Sequence, residues 1–122
     1  MNIIELRDKV IENGIKSVME HESGAKRTGA LEGFEMCRTL ESLSAFEAAL
    51  VIQEEKEKEM RERVHSGTAE SDEYWRVRYQ TLQIEFVYET LKIGFMDKGV
   101  KGLDYFSAAA AMRYARYVGV KE

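Results

Sequence analysis

The amino-acid sequence predicts an all-α fold, a bundle of four or five helices that forms one domain over residues 1–122. Apolar residues recur three or four positions apart along nearly the whole chain, and no stretch alternates apolar with polar residues as a strand would. The 122 residues include no proline, the residue that most often interrupts a helix. Hydrophobic residues make up 44% and charged residues 33% of the chain, which is ordinary for a globular domain.

The boundaries of the first three helices follow from breaks and caps. We predict a first helix over residues 3–21, and a second over residues 27–40 after the break at Ser23 and Gly24. Ser44 and Glu47 match a capping box that would start the third helix. Beyond that start, apolar residues at alternating three- and four-residue steps form a seam typical of coiled-coil packing. The C-terminal half of this helix is mostly charged, so we expect it to be solvated and to project beyond the core.

The fourth helix is predicted to be the longest and the most central. It starts at Ser71, extends to about residue 97 and is apolar on two sides, as expected of a helix surrounded by several neighbours. We expect Trp75, Leu82 and Phe86 to be largely buried on it. After a stop at residues 98–102, a fifth helix is predicted over Leu103–Val118. A fourth helix of this length spans about 40 Å while a compact domain of this size is about 35 Å across, so we expect an elongated bundle and an oligomer.

Two rows of small residues indicate close helix contacts. Gly29 and Gly33 lie four apart in the second helix, and Ala111 and Ala115 lie four apart in the fifth. Glycine destabilises a helix interior by about 1 kcal/mol relative to alanine, so a row of this kind needs a packing reason. The neighbour is either another helix of the same chain or a second subunit. In the second case a two-fold dimer is the expected assembly, because such dimers dominate among homo-oligomers.

The second half of the chain combines arginines with aromatic residues. Arginine offers planar donors to phosphate, and aromatic rings offer stacking faces to bases. One interpretation is therefore a pocket for a nucleotide-like anion. The others are an interface rich in arginine and tyrosine, or core aromatic residues flanked by arginines that reach water. The residues assigned to the pocket are Arg78, Arg113, Tyr114, Arg116 and Tyr117.

Enzymatic signatures are sparse. His21 and His65 have no cysteine or carboxylate at the spacing of a metal site, so the residues predict no metal and no cofactor. Four glutamates in the third and fourth helices resemble the carboxylates with which all-α nucleotide pyrophosphatases hold Mg²⁺, although Tyr88 replaces one acidic position of that pattern. This resemblance implies a Mg²⁺-dependent nucleotide hydrolase as a third function. The four are Glu54, Glu57, Glu85 and Glu89.

Charge and cysteine usage exclude several classes. The net charge is −4, with 18 basic and 22 acidic residues, which argues against an extended nucleic-acid surface. A single cysteine excludes a disulfide framework, and no apolar run is long enough to cross a bilayer. The N-terminal residues lack the apolar core of a signal peptide, so we expect a cytoplasmic protein.

The texture of the chain adds one resemblance. The segment of residues 29–38 (GALEGFEMCR) resembles segments of small phage and prophage proteins, which implies an accessory protein that acts on a host factor. The favoured function is therefore a non-enzymatic, homo-oligomeric interaction protein, at least a dimer. The alternative is a small-ligand binder that captures a nucleotide-like anion.

Overall fold

The computed structural model of the protein describes residues 2–96. This part is entirely helical, with α1 over Ile3–His21, α2 over Gly24–Cys37, α3 over Leu43–His65 and α4 over Ser71–Met96. No strand occurs among these residues, so the predicted all-α class is confirmed for them. The predicted fifth helix lies outside the described residues. Within residues 2–96, no helix is both long and apolar enough to span a membrane.

The N-terminal residues of α1 and α3 are held by side-chain caps. Asn2 caps α1, because its side chain accepts a hydrogen bond of 2.9 Å from the amide of Glu5, as N-cap residues do. Ser42 caps α3 in the same way, at 3.1 Å from the amide of Ala45. The capping box predicted at Ser44 is therefore wrong by two residues, and Glu47 instead accepts a hydrogen bond from the hydroxyl of Tyr88 at 2.7 Å.

The second helix also differs from its predicted range. It begins at Gly24 and ends at Cys37, three residues earlier at each end than predicted. Arg27 explains the tight connection to α1, since its guanidinium donates to the carbonyls of Met19 and Glu22 at 2.9 Å each. Basic side chains stabilise the unpaired carbonyls at a helix C-terminus, and here the basic residue comes from the next helix.

The four helices run up, down, up and down, with α4 in contact with each of the other three. The antiparallel register of α3 against α4 is fixed by Glu47 beside Tyr88 and Gln53 beside Thr81. The helix α2 runs parallel to α4, because Gly29 and Gly33 face successive turns of α4.

The core lies where α1, α2 and α3 meet one side of α4. Its fully buried side chains include Phe34 of α2, Phe46 of α3 and Leu91 of α4. The prediction that Trp75, Leu82 and Phe86 are largely buried is wrong for Trp75, which is 40% exposed. Leu82 and Phe86 are half-buried, and Phe86 packs against the core. The buried side instead follows the helical spacing of Ile84, Val87 and Leu91. Since α4 is apolar around most of its circumference, its periodicity could not decide which side faces inward.

The glycine row of α2 is filled by α4 of the same chain. A Cβ at Gly29 would lie 2.8 Å from the carbonyl carbon of Arg76 and closer still to its oxygen. A Cβ at Gly33 would lie 2.6 Å from the carbonyl oxygen of Gln80. The neighbour of this row is therefore another helix of the same chain. Gly29 and Gly33 are not open to a second subunit. Ala111 and Ala115 lie outside the described residues.

Candidate functional site

A polar layer crosses the interior of the bundle. Gln53 of α3 is 2% exposed, and its amide nitrogen donates to the side-chain oxygens of Gln80 at 3.3 Å and Thr81 at 3.2 Å. The amide nitrogen of Gln80 in turn donates to Glu32 of α2 at 3.1 Å. Burying a polar group is costly unless it is hydrogen-bonded. Because a shift of any one helix would leave these groups unpaired, the layer fixes the register of α2, α3 and α4.

At its edge the layer ends in an ion pair between α2 and α4. Arg76 donates to both carboxylate oxygens of Glu32, with a distance of 2.6 Å from Nε to Oε1. Such two-point pairs are among the stronger hydrogen bonds in proteins. The hydrogen bond from Arg76 holds the pKa of Glu32 below its usual value of 4.5, against the opposing effect of burial. Arg76 is thereby committed to the fold.

Arg78, the one described member of the predicted anion pocket, is also paired with a glutamate of another helix. Its guanidinium donates to Glu57 of α3 at 3.1 Å, and Glu57 is only 6% exposed. A buried carboxylate needs a partner of opposite charge, so Arg78 serves Glu57. The other four pocket residues, Arg113, Tyr114, Arg116 and Tyr117, lie outside the described residues, and the structure does not bring an anion pocket together within residues 2–96.

The glutamates that resemble a pyrophosphatase site influence one another through their charges. Glu85 is half-buried, and burial is the main cause of its raised pKa. Arg78 counteracts that rise, while the charges of Glu57, Glu54 and Glu89 add to it. Within the described part of the chain, no three histidine, cysteine or acidic side chains are arranged to hold a metal ion. Of these four glutamates, Glu57 is paired with Arg78.

Cys37 packs as a small apolar residue of the core. It is fully buried in the core, and burial raises the pKa of its thiol to about 12. A thiol of this kind is a poor nucleophile at neutral pH, because the thiolate is the reactive form.

The most unusual exposed feature lies at the N-terminal end of α4. Trp75, the only tryptophan of the chain, makes edge contacts with Tyr74 at 5.4 Å and Tyr79 at 6.4 Å between ring centroids. Lys26 of α2 places its Nζ 5.0 Å from the centroid of Trp75 and 5.7 Å from that of Tyr79. The guanidinium of Arg61 lies 6.0 Å from the ring of Tyr74. We call these five residues the aromatic surface.

Sequence reasoning placed Trp75 in the core and so missed this surface. The available signal was its position, one turn after the Ser71 start of α4, where the acidic residues Asp72 and Glu73 also lie. A second exposed apolar feature lies on α3, where Val51 and Ile52 are 62% and 57% exposed. These two side chains point away from the α3 side that contacts α4, which contains Gln53 and Glu57.

No protein-family model, no curated protein and no solved structure matches this chain.

Proposed function

We propose that this protein is a non-enzymatic interaction protein that associates with itself through the aromatic surface, as a dimer or a larger assembly. The observation that carries the proposal is the exposure of Trp75 on a platform formed by Tyr74, Tyr79 and Lys26. Tryptophan and tyrosine are enriched among the residues that dominate the energy of protein interfaces. They bury a large apolar area with little loss of side-chain freedom.

The charges around Trp75 favour a second copy of the chain as the partner. Lys26 and Arg61 supply positive charge on the aromatic surface, while Asp72 and Glu73 are exposed one turn before Trp75. A patch that carries both signs can face its own image across a two-fold axis, which is the arrangement of a symmetric dimer. Exclusion of water would also strengthen the attraction between Lys26 and the rings, from about 0.5–1 kcal/mol at an exposed site to about 2 kcal/mol.

A reducing compartment such as the cytoplasm suits the chain, as part of the same proposal. Its one cysteine is buried and forms no disulfide, and the core of the described residues is closed by apolar packing and the polar layer. The described residues do not favour either enzymatic or anion-binding alternatives, since Arg78 and Glu57 are paired with each other.

Light scattering on the full chain tests the proposal. We expect wild-type protein to have a mass at least twice the 14.0 kDa of one chain, and Trp75→Ala to shift the distribution toward 14.0 kDa. Ile52→Ala is the matched control, because it removes an exposed apolar side chain elsewhere and should leave the mass unchanged. A wild-type mass of one chain at high concentration would refute self-association. If the wild-type mass is a multiple of 14.0 kDa and Trp75→Ala has the same mass, the chains do not associate through the aromatic surface.

A further inference from the structure

Two side chains of opposite charge lie beside Trp75, and neither forms an ion pair within residues 2–96. Lys26 of α2 lies over the rings of Trp75 and Tyr79, and Asp72 lies one turn before Trp75 on α4. Both charged side chains are exposed. The ion pairs of the described residues join other side chains, so neither charge is neutralised by a direct partner in the single chain.

Asp72 differs in this respect from the other charged residues in the first two turns of α4. The carboxylate of Glu73 accepts a hydrogen bond of 3.1 Å from a backbone amide just before the helix. Arg76 and Arg78 pair with glutamates of α2 and α3. Asp72 is therefore the charged group of this segment that is available to a partner.

The spacing along α4 places Asp72 on the same side of the helix as the rings beneath Lys26. Residues three and four positions apart share one side of a helix, and this holds for Asp72, Trp75 and Tyr79. The ring that faces Arg61 is two positions from Asp72, which corresponds to the opposite side of a helix with 3.6 residues per turn. The cation that shares a side of α4 with Asp72 is therefore Lys26.

A two-fold axis at Trp75 brings these two charges together between copies of the chain. An axis that crosses α4 at right angles reverses the direction of the helix. Residue 72 of one copy then falls level with residue 78 of the other, because both are three positions from residue 75. The ammonium of Lys26 lies over the rings of residues 75 and 79, which is the same level. A two-fold interface makes every such contact twice.

We propose that Lys26 of one copy pairs with Asp72 of the other copy, twice across the two-fold axis of the self-associated protein. This inference rests on the self-association proposed above and specifies its ionic contacts. Burial of Trp75 in the interface also removes the neighbouring ammonium from water, and a buried charge needs a partner of opposite charge. Complementary charges at an interface also fix the register of the two partners.

Charge reversal on two separate chains tests the pairing. Lys26→Glu faces Asp72 of its own second copy with a carboxylate, and Asp72→Lys faces Lys26 with an ammonium. Each variant alone should associate at least roughly tenfold more weakly than wild type, because facing like charges are strongly unfavourable. An equimolar mixture of the two variants should associate again, because both contacts of a mixed pair then join opposite charges. Light scattering over a series of concentrations measures all three samples.

Two further sets of variants serve as controls. Lys16→Glu makes the same change of charge on the exposed side of α1, and it should associate as wild type does. Circular dichroism shows whether each variant is folded. If a reversal variant is unfolded, Lys26→Gln and Asp72→Asn take its place. These neutral variants should each weaken association less than reversal does, and association equal to wild type in both would overturn the pairing.

The outcomes distinguish the pairing from self-association itself. Weak association of each reversal variant with recovery in the mixture supports the pairing. Wild-type protein that associates while the variants associate equally well overturns the pairing and leaves self-association standing. The same conclusion follows if the mixture associates as weakly as its components. A wild-type mass of one chain would instead refute the self-association on which the pairing rests.

Discussion

Replacing Gly29 by alanine tests the packing of α2 on α4 most sharply. The new Cβ would lie 2.8 Å from the carbonyl carbon of Arg76, whereas ordinary contact begins near 3.4 Å. The obstacle is backbone, which cannot rotate away as a flexible side chain can. The two helices must therefore separate, and the contacts of the neighbouring Ala30 and Phe34, both fully buried, must loosen.

Two opposing effects set the size of the loss. Overpacking a close contact costs about 1–3 kcal/mol and occasionally more. Alanine recovers about 1 kcal/mol through its higher helix propensity. Because the clash at Gly29 is with backbone, we expect the upper part of the first range, hence a net loss of about 2 kcal/mol. Gly33→Ala should lose less, because its Cβ would lie 2.6 Å from the carbonyl oxygen of Gln80, whereas a Cβ at Gly29 would lie closer than that to the carbonyl oxygen of Arg76.

Urea unfolding followed by circular dichroism measures both losses. Thr28→Ala is the matched control, because Thr28 precedes Gly29 on α2 and is exposed, and surface changes of this kind stay within about 0.5 kcal/mol. If Gly29→Ala is as stable as wild type or more stable, helix propensity outweighs the contact. The close approach of α2 and α4 would then be refuted.

Burial and charge lead to four further predictions. Phe34→Ala should lower the free energy of unfolding by about 3–5 kcal/mol, as the removal of a buried ring does. Phe86→Ala should lower it less, because Phe86 is half-buried. Equal losses would contradict the assignment of the core. The raised pKa of Glu85 means that the native state binds more protons than the unfolded chain above pH 4.5, so stability falls as pH rises through that window. The stability of Glu85→Gln relative to wild type should accordingly increase from about pH 4 to about pH 7. The lowered pKa of Glu32 has the opposite sign, so the deficit of Glu32→Gln should shrink as pH falls below 4.5, and parallel pH profiles would refute both assignments. Cys37 should react with a disulfide reagent only after unfolding in urea, and rapid reaction of the native protein would show that the thiol is accessible.

Local signals in the sequence were sufficient to predict that α1 to α4 are helices, and they also gave the correct bounds of α1. Its predicted range of residues 3–21 matches Ile3–His21, because a long apolar stripe and a clear break at Ser23 define it. They were insufficient at the start of α3, where two serines two residues apart could both cap. A tertiary contact determines which serine caps α3. Tyr88 of α4 donates a hydrogen bond to Glu47, the residue that a capping box at Ser44 would have needed.

The side of α4 that faces the core could not be predicted for a different reason. Apolar residues lie on several sides of α4, so its own sequence permits several rotations about the helix axis. The rotation is set by α2, whose glycines admit the backbone of α4 at Arg76 and Gln80. The aromatic surface is a consequence of that rotation, which turns Trp75 outward. A row of small residues in one helix thus determines the exposed chemistry of another.

Fluorescence of Trp75 as a function of protein concentration tests the proposed self-association most directly. Trp75 is the only tryptophan and is 40% exposed in the single chain, so its emission reports on this one position. We predict that the emission shifts to shorter wavelength and that acrylamide quenching weakens over the concentration range in which light scattering shows the mass rising. A rising mass with unchanged emission and quenching would show that the chains associate through another surface, and would contradict the account.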